Sequence, residues 1–238
     1  MFQVLANPQK FMAFSKWAAP IIGAIAAALL IPGLWLGFTV PDDYQQGQTV
    51  RLLFIHPQLA TLSMFSYACL GGAAFFGVVF RHALADAAAR AAAPLGAAFT
   101  FLTLVTGSFW GRPMWGTWWV WDARLTSELV LLLLFLGYIA LVAAIDDEAK
   151  ANRAGGILAM VGLVNLPIIR YSVVWWNTLH QPASSFAEHD LAPVYQLPFV
   201  LTMLGFLALF GSLWLVRTRA EVWRRRANAL AVRRAGKA

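Results

Sequence analysis

The chain reads as an all-α membrane protein, a bundle of six transmembrane helices. Three observations predict it. Hydrophobic residues make up 60% of its 238 residues. Charged residues make up only 12%, against roughly 25% in an ordinary soluble domain. Six apolar stretches are each long enough to cross a hydrocarbon core of about 30 Å at about 1.5 Å per residue. The mean hydropathy of +0.65 points the same way.

The first stretch, Trp17 to Val40, follows Lys10 and Lys16 as a signal peptide would. Its apolar run exceeds the roughly 7 to 15 residues of a signal core and no clear cleavage site ends it, so it is expected to be a retained anchor. The second, Val50 to Phe80, carries the single Cys69 and the small-residue run GGAAFFG from Gly71. Small residues let helices approach closely in lipid, where burial gives little driving force. The alanine-rich ALADAAARAAA reads as a helix-to-helix connection before the third stretch, Ala91 to Phe109. The run WGTWWVWDARLT separates that from the fourth, Thr126 to Ile145, and Gly155 to Trp176 and Leu197 to Val216 complete the set. We divide the chain into one polytopic membrane domain, residues 1–216, and a basic cytoplasmic tail, residues 217–238; no remaining stretch is long enough for a soluble domain.

Short loops rich in Lys and Arg stay on the cytoplasmic side. Fourteen of the 18 basic residues fall on one side: Lys10, Lys16, Arg81, Arg90, Lys150, Arg153 and the tail. Both termini are therefore expected in the cytoplasm and the Trp-rich loop between spans three and four outside. The formal charge of +7 then reflects a tail beside anionic lipid headgroups rather than nucleic-acid binding. The same tail, with Trp223, can alternatively form a docking helix for a partner subunit. A lone cysteine excludes an intramolecular disulfide, a C-x-x-C-H haem attachment site and a multi-cysteine metal site. No G-x-x-x-x-G-K-[ST] is present, so any ATP used is hydrolysed by another chain.

The Trp-rich loop is the most informative segment. Trp115, Trp118, Trp119 and Trp121 fall within seven residues and are closed by Asp122. Such indole density is a candidate platform for a flat ligand, although tryptophan belts also anchor proteins at membrane interfaces. Trp115, Trp118, Trp119 and Asp122 have the spacing of one face of a short surface helix, and Asp122 can cap the next span.

Four histidines remain. His82, beside Arg81 in an inner loop, is expected to be solvated. His56 precedes Pro57, which suits the first turn of a helix; His180 lies in the last outer loop, with His189 further along. Two imidazoles from different segments, with aromatic surface between them, suit the opposite faces of a six-coordinate haem. His56 and His180 are the better pair because each adjoins a span boundary. The outer cations, Arg51, Arg112, Arg124 and Arg170, are all arginine, the residue suited to paired contacts with carboxylates such as haem propionates. Alternatively, Arg124 pairs with Asp122 and Arg170 reaches outward from the fifth span.

The pattern W-G-x-x-W-x-W-D, here Trp115, Gly116, Trp119, Trp121 and Asp122, resembles the signature of the tryptophan-rich haem-handling membrane proteins of cytochrome c maturation. The six-span layout with flanking outer histidines is most similar to the haem exporter protein C (CcmC) family. The likeness covers nearly the whole chain. It implies a multi-pass protein of the bacterial inner membrane that holds non-covalent haem b at its periplasmic face. His56 and His180 would be axial ligands of the iron, and Trp115, Gly116, Trp118, Trp119, Trp121, Asp122 and Arg124 would surround the ring. The implied partners are a periplasmic haem chaperone, ATPase and membrane subunits of the ABC type, and a small single-span subunit; nucleic acid is not among them. The implied task is to ligate, orient and hand over haem, with no catalytic residue of its own. Two other classes stay open on the residues alone. A haem-containing redox enzyme would normally hold its histidines deep between helices. A secondary transporter of a small hydrophobic substrate would carry ionisable residues near the midplane, where these spans offer little beyond Arg170 and Asn165.

Overall fold

The computed structural model describes residues 7–180 and 191–235, and no β-strand occurs among them. Six helical segments are long and apolar enough to cross a membrane. Helix α1, Pro8–Thr39, is capped by Asn7, whose side chain accepts from the Gln9 N–H at 2.8 Å. A 3-10 turn, Gln48–Phe54, leads into α2, His56–Phe80. Helices α3, Ala83–Trp115, and α4, Ala123–Ala144, follow. The fifth crossing is two helices, α5, Glu148–Gly162, and α6, Asn165–Trp175. Helix α7, Pro193–Ala235, completes the bundle.

Several helices outrun the apolar stretches that announce them. The alanine-rich run is not a connection but the first turns of α3, as befits the strongest helix former. His82 caps that helix: its Nδ1 accepts from the Ala85 N–H at 3.2 Å, and the residue is half-buried rather than freely solvated. Helix α7 passes Val216 without a break. The fifth crossing is interrupted at Leu163 and Val164, where the bonds tighten to i→i+3 spacing. Pro167 accounts for this, because it lacks an N–H and its ring crowds the carbonyl four residues earlier. Asn165 Nδ2 donates to the Ser127 carbonyl at 2.9 Å and ties the interrupted crossing to α4.

Helix α1 packs mainly along α7, α2 along α3, and α4 along α3, α5 and α6. The principal core holds Tyr67, Leu70, Leu131, Phe135 and Ile169, with Tyr67 and Phe135 edge to face at 4.9 Å. Cys69 is a packing residue beside Leu59, Leu62 and Phe210. Gly71 faces Leu163 at a close helix approach, and Gly96 faces the Phe135 ring so tightly that any Cβ there would collide with it. Gly96→Val is therefore expected to destabilise the α3–α4 contact by about 1–3 kcal/mol, the usual cost of overpacking. The thermal midpoint of detergent-solubilised protein measures it, and an unchanged midpoint would mean that this contact does not set the spacing.

Buried polar contacts supply the rest of the adhesion, as expected among apolar helices. Gln58 Nε2 donates to Thr202 Oγ1 at 2.9 Å, Ser212 Oγ to the Ala19 carbonyl at 2.8 Å, and Trp214 Nε1 to the Ala88 carbonyl at 2.8 Å. Near the helix ends that include both chain termini, Arg90 Nε donates to Asn152 Oδ1 at 2.7 Å and Arg225 pairs with Glu148 at 2.7 Å. Since successive crossings alternate in direction, the start of α2, the end of α3, the start of α4 and the end of α6 gather at the opposite end.

Candidate functional site

At that opposite end lies a cleft of about 640 Å³, a figure that includes space open to the surface. His56 and His180 both line it.

His56 is the first residue of α2, with Pro57 in the first turn as its sequence position predicts. Its Nδ1 lies 3.0 Å from Thr106 Oγ1 on α3. The Thr106 hydroxyl gives its single hydrogen to the Leu102 carbonyl at 2.7 Å, so it accepts from the imidazole Nδ1–H. That assignment leaves a free lone pair on Nε2. The ring meets Trp110 edge-on at 5.7 Å. Gly107 makes the close seat possible, because a Cβ there would stand 3.0 Å from His56 Cε1.

His180 arrives from the segment after α6. Its Nδ1 lies 3.3 Å from Asp122 Oδ2, and its ring packs 4.7 Å from Trp115. A carboxylate can only accept from Nδ1–H, so here too Nε2 keeps its lone pair. Burial holds the His180 imidazole below its ordinary range, against the upward pull of the Asp122 carboxylate, and leaves it neutral at pH 7. Asp122 is 9% exposed and does two jobs. Its other oxygen, Oδ1, accepts from the Leu125 N–H at 2.8 Å and caps α4, as the loop sequence predicts.

The loop between α3 and α4 is not a short surface helix. Trp115 is the last helical residue, and Gly116 ends the helix in the left-handed region at φ 76°, where a side chain would be strained. Residues 117–122 run without helical hydrogen bonding. Trp115, Thr117, Trp118, Trp119 and Val120 line the cleft. Trp118 is 53% exposed and meets Phe109 edge-on at 5.6 Å. Trp121 is outside the lining and 75% exposed, resting against Trp119 at 5.4 Å.

Of the four arginines at this end, Arg124 alone lines the cleft. It does not pair with Asp122; its Nη1 donates to the Ile169 carbonyl at 3.4 Å. Arg51 pairs with Asp42 at 3.2 Å, Arg112 donates to the Gly116 carbonyl at 2.6 Å, and Arg170 lies beside Tyr171. His189 lies outside the described residues.

The structure adds residues that sequence reasoning passes over. Thr106 and Gly107 seat His56, and Glu128 lines the cleft one turn below Arg124. Glu128 falls inside an apolar run, the usual mark of an intramembrane functional residue, and belongs with Arg170 and Asn165 among the ionisable and polar groups of these spans.

Fold and cleft together define a multi-pass, tryptophan-rich membrane protein with a paired-imidazole cleft at one end. The family model described as heme exporter protein C matches residues 1–233, and the chain belongs to that family. It is 49% identical over 235 residues to the heme exporter protein C of Bradyrhizobium diazoefficiens, covering 98% of this chain and 89% of the relative. Its identity to the protein of that name from Escherichia coli K12 is 49% over 216 residues, 90% of this chain and 88% of the relative. With the Paracoccus denitrificans protein of that name it is 46% over 231 residues, 96% of each chain.

Proposed function

We propose that the protein binds haem as cargo at the periplasmic face of the bacterial inner membrane and presents it to a periplasmic haem chaperone during c-type cytochrome biogenesis. The observation that carries this reading is the pair of imidazoles in one cleft, each with Nδ1 against a side-chain oxygen, an arrangement that leaves Nε2 to carry the lone pair. That is the protonation a metal ligand needs. The cleft also fits the rest of a porphyrin: indole faces for the ring, Arg124 with spare donors, and two buried polar atoms without partners among the described residues, Trp119 Nε1 and Glu128 Oε1.

When bound, haem supplies an iron that takes one nitrogen on each face. His56 and His180 ligate it without a covalent bond to the ring, as for haem b. Trp115, Trp118 and Trp119 cover the macrocycle, Trp121 extends the indole surface outward, and Asp122 fixes His180. Gly116 turns the chain so that the loop closes over the cleft. Residues 217–238 form the cytoplasmic end, and the membrane domain, residues 1–216, works with an ABC-type ATPase, further membrane subunits and a small single-span subunit. The name carried by its relatives, heme exporter protein C, supports a role in haem export.

Two measurements test the reading together. Purified protein is expected to show a low-spin haem spectrum that sharpens with dithionite. Reporters fused after Ala238 and in the Asp146 to Arg153 loop are expected to be active only in the cytoplasm, and those in the Trp loop and near Ser184 only outside. A protein that takes up no haem, or a periplasmic C-terminus, overturns it.

A further inference from the structure

The cleft has a polar inner end whose two charged residues are not spent on each other. Arg124 and Glu128 are one turn apart on α4, the spacing at which helical side chains meet. Both line the cleft, yet no ion pair joins them among the described residues. Among the described residues Arg124 has one hydrogen bond, to the Ile169 carbonyl at 3.4 Å, and a guanidinium has five N–H donors. Glu128 is 7% exposed, and its Oε1 is buried with no hydrogen-bond partner among the described residues. Ser63 of α2 stands beside the same carboxyl, and Ala60, Met64, Leu104 and Leu125 make the surrounding wall apolar. Leaving a buried carboxyl oxygen unbonded in such a setting is costly. A built-in donor fork beside a carboxyl with one oxygen left unbonded therefore points to a third group that satisfies both.

The chemistry of that group follows from charge balance. A cation would repel Arg124, and a neutral apolar edge would leave Glu128 Oε1 unbonded. A ligand carboxyl satisfies both sides: its oxygens accept from Arg124, and one proton is shared between it and Glu128. The assembly of guanidinium, ligand carboxyl and Glu128 with that shared proton carries no net charge, which suits a site of low dielectric.

We infer that Arg124 and Glu128 together form a carboxyl-recognition subsite at the inner end of the cleft, which takes one of the two side-chain carboxyl groups of the porphyrin. This rests on the haem reading above and assigns Glu128 to binding. The subsite sets which way round the ring enters, with its carboxyl-bearing edge toward Arg124 and Glu128.

The test titrates the purified full-length protein with haem and with haem dimethyl ester, in which both carboxyls are blocked, and follows the Soret band. Wild type is expected to favour haem over the ester by about tenfold or more, the effect of a buried charge-assisted contact. Glu128→Ala and Arg124→Ala should each remove most of that preference by weakening haem binding while leaving the ester unchanged. Glu128→Gln keeps the shape and an N–H donor, so it should retain haem affinity within about threefold, and it reads the site should the alanine variant fail to fold. The double variant should lose little more than either single one, because the two residues act on the same group. Equal weakening of haem and ester, or a wild type indifferent to esterification, overturns the subsite but leaves haem binding standing. A wild type that binds neither porphyrin overturns the haem reading, and the subsite falls with it.

Discussion

Replacing His56 with Ala is expected to abolish the low-spin spectrum of the haem-loaded protein, and His180→Ala to do the same. Each imidazole presents a lone pair from Nε2 while its Nδ1 is held by a neighbour, so each is expected to fill one axial position. Removing either leaves the iron five-coordinate or water-bound. The loss of affinity should be at least the roughly 10–100-fold that follows from losing a supporting partner of a ligand. Added imidazole should restore the low-spin bands in both variants, because Trp115, Trp118 and Trp119 still wall the cleft. His82→Ala provides the control. It removes the cap of α3 at the far end of the bundle, with a stability cost of about 1 kcal/mol, and should leave the spectrum intact. Unchanged bands in both the His56 and His180 variants would refute the pairing and direct attention to His189.

The six crossings were legible because length and apolarity are nearly sufficient to define a span. Their ends were not. Hydropathy stops at the membrane boundary, whereas helical hydrogen bonding continues wherever good helix formers follow, as in Ala83 to Ala93 and beyond Val216. The break at Leu163 had a sequence signal in Pro167, but inside an apolar run a proline does not reveal whether it bends a helix or ends it. Within the cleft, His56, His180 and the tryptophans stood out because imidazole and indole are scarce and bear recognisable chemistry. Their supports did not. Thr106 lies 50 residues from His56 in the chain, and only packing brings its hydroxyl to Nδ1. Gly107 matters for the space it leaves, a property invisible without the neighbour that uses it. Trp121 illustrates the converse: membership in a motif does not fix which way a side chain faces in a loop without helical repeat.

Asp122 offers the sharpest separation of folding from ligand preparation, since its two oxygens serve different partners. Oδ1 caps α4 through the Leu125 N–H, and Oδ2 faces Nδ1 of His180. Asn is an equally good cap residue, so Asp122→Asn is expected to leave the thermal midpoint nearly unchanged if its oxygen takes the Oδ1 position. Its amide nitrogen then faces His180, and two N–H donors oppose each other. The imidazole relieves this by moving its hydrogen to Nε2, the atom that must carry the lone pair for iron. Haem affinity should fall about 10–100-fold, and the low-spin bands should weaken and return with added imidazole. If the amide turns the other way, His180 keeps its tautomer and the cap is lost, at a cost of about 0.5–2 kcal/mol. Asp122→Ala removes both functions and should show both losses. An Asp122→Asn protein with unaltered midpoint and unaltered spectrum would mean that the carboxylate neither orients His180 nor selects its tautomer.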